Sequence, residues 1–172
     1  MKKIVDVSNK TGELEIILNK KGMELEIVGR FQTYGSEVKE LNIRIVHRAP
    51  HTTANTTLKG VAWDTSQLKL SGTIIIEKSA QQTQSFLREN ILLLSPEAKA
   101  EAIPNLEILA NDVKCSHAAT ISNISEEQVF TFLKSGKSIP SFIHVWISWV
   151  VNTAQIKKFT SKFFTSDDCF PN

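Results

Sequence analysis

Two side chains capable of chemistry stand close together in "NDVKCSHAATIS" (Asn111–Ser122): Cys115 and His117. The run reads as a strand, whose period of two sends Cys115 and His117 to one face and Ser116 to the other. A thiolate beside an imidazole allows three readings: half of a metal site, a nucleophile with its base, or packing. For Cys115 alone, burial as a small apolar group is the simplest account. Iron chemistry asks more of it, namely a thiolate and access. Spacing does not choose among the three.

Other candidates are weaker. His47 and His51 flank "RAP" in "VHRAPHTT", and Pro50 makes the segment extended or turning, so a corner is favoured over a metal site. Asp64 and Asp112 each follow an apolar run and are of the type that serves as acid and base. Short acidic side chains at such places more often hold backbone donors in turns. Lys59 precedes Gly60, but the earlier glycine of a phosphate loop is absent. Cys169 lies in a loose tail, "TSDDCFPN".

The elements that must position these residues are short and β-like. "GELEIILNKKGMELEIVG" (Gly12–Gly29) alternates apolar and polar residues on both sides of "NKKG", a hairpin or corner signal. Leu41–His47, Thr56–Asp64, Leu68–Lys78 and Asn105–Asp112 continue the pattern. Polar breaks recur roughly every 12 residues, a spacing that fits a sandwich, a barrel or a coiled solenoid. No exact sequence repeat marks the solenoid out. At Ser125 the character changes: "SEEQVFTFLKSG" (Ser125–Gly136) reads as a helix with a Ser125–Gln128 capping box and a glycine stop. A second helix is expected from Pro140, with Phe142, Val145, Trp146, Trp149 and Val150 along one face.

Bulk properties set limits. A chain of 172 residues, 41% hydrophobic and 22% charged, suits one globular domain with a small appendage. A net charge of +2, with lysines scattered and not interleaved with aromatics, argues against nucleic acid. Two cysteines make no disulfide framework, and without a CxxC or a Cys/His quartet a closed zinc site is not expected. The start, "MKKIVDVSN", has no apolar core of a secretory signal, so the cytoplasm is the expected compartment. The most apolar run, Ile139–Val151, falls short of the roughly 20 residues that span a bilayer.

Five pieces in series resemble the SufB/SufD family, the scaffold components of the Suf iron–sulfur cluster assembly machinery. They are "KGVAWDTS" (Lys59–Ser66), "SGTIIIEKSAQQT" (Ser71–Thr83), "ENILLLS" (Glu89–Ser95), "AIPNLEILANDVKCSHAAT" (Ala102–Thr120) and "SEEQVFTFLKS" (Ser125–Ser135). The resemblance implies a mainly β fold, a right-handed parallel β-helix (solenoid) with a short C-terminal helical tail. The expected division is 1–123 for the β-helix core and 124–172 for the helical segment. It also implies truncation at the N-terminus, since 47 residues precede Arg48 where the family is much longer.

The family's function would follow: a scaffold or accessory subunit that is not an enzyme. The "CSH" motif makes the chain look nearer SufD, with His117 as the metal residue and Cys115 beside it. Clusters generally need four ligands, so a transient iron–sulfur cluster would be shared with a partner subunit and not held tightly by this chain alone. The partner would be a second copy or a SufB-like protein, with a SufC-type ATPase docking on the helical region. Phe130, Leu133, Trp146 and Trp149 are candidates for that contact, or for core. Ala118 stands where the family usually has glycine, and "SGKSI" (Ser135–Ile139) lacks its arginine. The rival reading is a β-helix paralogue that kept the fold and lost cluster chemistry.

Overall fold

The computed structural model describes residues 2–8, 10–124 and Lys134. Nine strands follow one another: β1 (Lys3–Asp6), β2 (Gly12–Leu18), β3 (Glu24–Thr33), β4 (Val38–His47), β5 (Thr53–Ala62), β6 (Gln67–Ile76), β7 (Thr83–Leu93), β8 (Lys99–Ile108) and β9 (Val113–Asn123). The odd strands form one sheet in the order β1-β3-β5-β7-β9, and the even strands form a second, β2-β4-β6-β8. Every pairing is parallel. The chain therefore coils through about four turns of a parallel β-solenoid, each turn giving one strand to each sheet. "NKKG" resolves as a corner: β2 and β3 belong to different sheets.

Alternation drives this arrangement. In β3 the residues Leu25, Ile27 and Phe31 are buried, while Glu26, Val28 and Arg30 between them are half-exposed. The register then stacks inward residues in columns. Leu25–Ala54–Ser85–Cys115, Ile27–Thr56–Leu87–His117 and Gly29–Leu58–Glu89–Ala119 run up the odd sheet. The even sheet faces them with Leu41, Ile43, Ile45, Leu68, Leu70, Ile74 and Ile76, all fully buried. Removing each such side chain from water contributes about 1.5–3 kcal/mol, which is what closes the two sheets on one another.

The corners explain why no repeat shows in the sequence. Gly22, His51 and Gln82 occupy equivalent places before β3, β5 and β7, and all three have positive φ (73°, 58° and 58°). Gly22 NH donates to the Pro50 carbonyl and His51 NH to that of Gln81, so each corner rests on the next. Backbone stacking, not a fixed residue type, holds the position. Glycine takes it freely, while histidine and glutamine hold a left-handed conformation costing about 1–2 kcal/mol. At the other edge, Asp64 takes a φ of 54° and its Oδ2 accepts from Gly35 NH at 2.8 Å.

The chain divides at Glu126/Glu127, and all nine strands belong to the first unit. Of the expected helical segment 124–172, all but Ile124 and Lys134 lies outside the described residues, as do Phe130, Leu133, Trp146, Trp149 and Cys169. Among the described residues no helix is long and apolar enough to cross a membrane.

Candidate functional site

Among the described residues β9 is the last strand of its sheet, paired to β7 on one side. Its register with β7 sets Cys115 on Ser85, His117 on Leu87, Ala119 on Glu89 and Ile121 on Ile91. Since Ser85, Leu87, Glu89 and Ile91 are buried between the sheets, Cys115 and His117 face the solenoid interior together. The sequence reading of a shared face is correct. Here His117 and Ala119 are exposed, and Cys115 is half-buried against the core. Leu106, Ile108 and Ile121, inward positions of the same turn, are 37%, 41% and 44% exposed.

The two side chains differ in readiness. Burial pushes the Cys115 thiol up, so at neutral pH it is a thiol and not a thiolate, a poor nucleophile and a poor ligand until a metal displaces its proton. His117 carries an exposed imidazole, a good ligand for borderline divalent metals. Among the described residues no three of His, Cys, Asp and Glu are gathered where they could hold a metal ion.

One turn beneath lies a residue that sequence reasoning passed over. Glu89, on β7, is 0% exposed, and neither carboxylate oxygen has a hydrogen-bond partner. Loss of solvent pushes its carboxyl up to about 8 from an ordinary 4.5. Glu89 faces the even sheet at Gly72, where an added Cβ would come within 2.7 Å of its Oε1. Glycine thus leaves the room that the carboxyl fills. The signal was present in the sequence: alternation along "SFLRENI" sets Glu89 on the face of Ser85, Leu87 and Ile91.

His47 is a buried ionisable group of another kind. Its Nδ1 lies 2.8 Å from Thr52 Oγ1 and its Nε2 3.0 Å from Ser85 Oγ. The Thr52 hydroxyl donates to the Ala49 carbonyl at 3.2 Å and also meets Thr83 Oγ1 at 3.0 Å. Because the Thr52 proton is committed, the network assigns the ring a proton on Nδ1 and lets Nε2 accept from Ser85. Burial pushes this imidazole down to about 4. It is a neutral structural histidine at a corner, as its place beside Pro50 led us to expect, and His51 is the exposed corner residue after it.

The remaining candidates separate. Asp64 follows an odd-sheet strand and Asp112 an even-sheet strand, so they lie at opposite edges, a strand length of about 30 Å apart. They make no acid–base pair. Asp64 satisfies a backbone donor as expected, whereas Asp112 engages through its backbone, its NH donating to Gln81 Oε1 at 3.0 Å. Lys59 sits inside β5, not in a phosphate loop. A shallow depression rimmed by Lys2, Lys3, Lys20 and Lys21 lies by β1, at the other end of the sheet order.

Residues 6–136 match the family model described as SUF system FeS cluster assembly, SufBD core domain. Among curated proteins the chain is similar to the chloroplastic protein ABCI7 of Arabidopsis thaliana, 42% identical over 76 residues, which is 44% of this chain and 16% of that protein. An iron–sulfur cluster assembly SufBD family protein of Synechocystis is 34% identical over 101 residues, 59% of this chain and 22% of its own length. The iron–sulfur cluster assembly protein SufD of Escherichia coli is 30% identical over 118 residues, 69% of this chain and 28% of its own length. The chain thus spans between 16% and 28% of the length of these relatives.

Proposed function

The chain belongs to the SufBD core-domain family, and from that premise we propose that it serves iron–sulfur cluster assembly as a SufD-like scaffold or accessory subunit. The observation that carries this is the placing of Cys115 and His117 on one inward face of β9, the last strand of its sheet among the described residues. A free strand edge is a template for another chain, and two donors are fewer than a cluster's usual four. A partner would supply the remaining ligands across that edge, so the cluster is transient shared cargo. The similarity to SufD of Escherichia coli and the "CSH" run at Cys115–His117 support a SufD-like role. The partner is a SufB-like chain or a second copy, with a SufC-type ATPase as the third component. The chain performs no reaction of its own, binds no nucleic acid, and works in the cytoplasm.

The test is anaerobic co-elution of the chain with SufB- and SufC-type proteins, reading visible absorbance and iron, with His117→Ala in parallel. A coloured complex that loses iron in the variant is expected. Separate, colourless elution would overturn the reading. It would favour the second one, a paralogue without cluster chemistry, for which the raised Cys115 thiol already speaks.

A further inference from the structure

An ionisable side chain with no hydrogen bond is costly inside a protein, and the expected remedy is either a partner or replacement by hydrocarbon. Glu89 has neither. Its two oxygens are buried and unpartnered, although Leu87 and Ile91 on either side of it in β7 show that the position suits an aliphatic residue. The opposite wall is a glycine, whose missing Cβ is what gives Oε1 its space. The fold therefore holds open a place for a carboxylate and supplies nothing for it to bind.

What could reach that carboxylate follows from the register. Glu89 pairs with Ala119, and Gly72 with Pro104, so these two residues of the next turn stack on Glu89 and on the glycine opposite it. Ala119 is exposed and Pro104 is half-exposed. Glu89 is thus one strand from β9, the last strand among the described residues. His117 faces the same interior, one strand up and two residues along, with its Cα about 8 Å from that of Glu89 on sheet geometry. Two side chains of that length, pointing into one space, can meet on a single small ion.

We propose that Glu89 is a metal ligand, the inner carboxylate of a divalent-cation site whose outer ligand is His117. Carboxylate oxygen with imidazole nitrogen selects a borderline divalent ion of the iron(II), cobalt(II) or zinc class. The side chains are not gathered beforehand, so ion binding draws them together, with water or a partner's side chains completing the shell. Cys115, beside His117 on the same strand, is placed to join once its proton leaves. The inference rests on the scaffold reading above and deepens it: it names the residue that receives the metal.

Cobalt(II) is the probe, because its visible absorption reports ligand type and number without turnover. The full-length chain is titrated anaerobically with cobalt(II) chloride, alongside Glu89→Gln, Glu89→Asp and His117→Ala. Glu89→Gln keeps the shape of the neutral carboxyl, and a single cooperative unfolding transition no less stable than that of the unaltered chain near neutral pH confirms that it folds. Binding weaker by about 10- to 100-fold is expected in both Glu89→Gln and His117→Ala, with a changed spectrum and partial recovery in Glu89→Asp. If His117→Ala loses cobalt and Glu89→Gln does not, the inference is overturned while the scaffold reading stands. No uptake by the unaltered chain also overturns the inference, and the co-elution experiment then judges the scaffold reading separately.

Discussion

His47 and Glu89 are both fully buried between the same two sheets, yet their surroundings are opposite. The histidine sits at a corner, where hydroxyls of Thr52 and Ser85 meet both ring nitrogens. The glutamate sits mid-strand, where it is flanked by Leu87 and Ile91 and finds no donor. Corners supply polar partners because the backbone turns there and side chains from successive turns converge. Mid-strand columns supply only what the neighbouring turns stack above and below. A buried polar group at a corner is therefore structural by default, whereas one in mid-strand with no partner asks for a ligand.

The sharpest way to break this contrast is to remove the histidine. His47→Ala should lower unfolding free energy by about 3–4 kcal/mol, from the cavity and from Thr52 and Ser85 left without their partner. Denaturant unfolding measures it, and a loss below about 1 kcal/mol would mean that the network is ornamental.

Proton linkage comes next. Glu89 is held up at about 8, so the folded chain keeps a proton that the unfolded chain sheds above 4.5, and stability falls as pH rises through that window. His47 acts oppositely: the unfolded chain takes up a proton below 6.5 that the folded chain refuses until about 4, so stability falls as pH drops. Each slope is about 1.4 kcal/mol per pH unit. They cancel between 4.5 and 6.5, giving a plateau, and leave an alkaline decline of about 2 kcal/mol from 6.5 to 8. Unfolding curves across that range should show both features. Glu89→Gln should flatten the alkaline limb, and a limb that survives it would assign the titration to another group.

Near neutral pH the same Glu89→Gln change should raise stability by about 3 kcal/mol, because the unfolded chain no longer gains by shedding a proton that the folded chain keeps. A large loss there would make Glu89 a structural residue like His47 and end the contrast. The smallest effect belongs to the outer face of the even sheet, where Lys69 reaches Glu101 at 3.3 Å and Glu40 at 3.8 Å. Lys69→Ala should cost at most about 0.5 kcal/mol, since these pairs are solvent-exposed. Parallel thermal melts in low and high salt would detect anything larger.

Much of this was legible in the residues. Alternation marked the strands, and the period of two put Cys115 and His117 on one face. Glu89 carried the same signal and was passed over, because an acidic residue in a strand is ordinarily read as facing solvent. The His47 network was not readable: its contacts join residues 5, 31 and 38 positions apart in sequence.

By itself the sequence determined which residues alternate, where the chain turns and which family it resembles, because those depend on neighbours a few residues apart. Tertiary structure alone decided which column each inward residue joins. Register offsets of 29 residues between β3 and β5, 31 between β5 and β7 and 30 between β7 and β9 set Glu89 over Leu58 and under Ala119. A slip of one residue would have turned that carboxylate to solvent. Corner length fixes the register, and register decides whether a glutamate is a surface charge or an unpartnered group inside the solenoid.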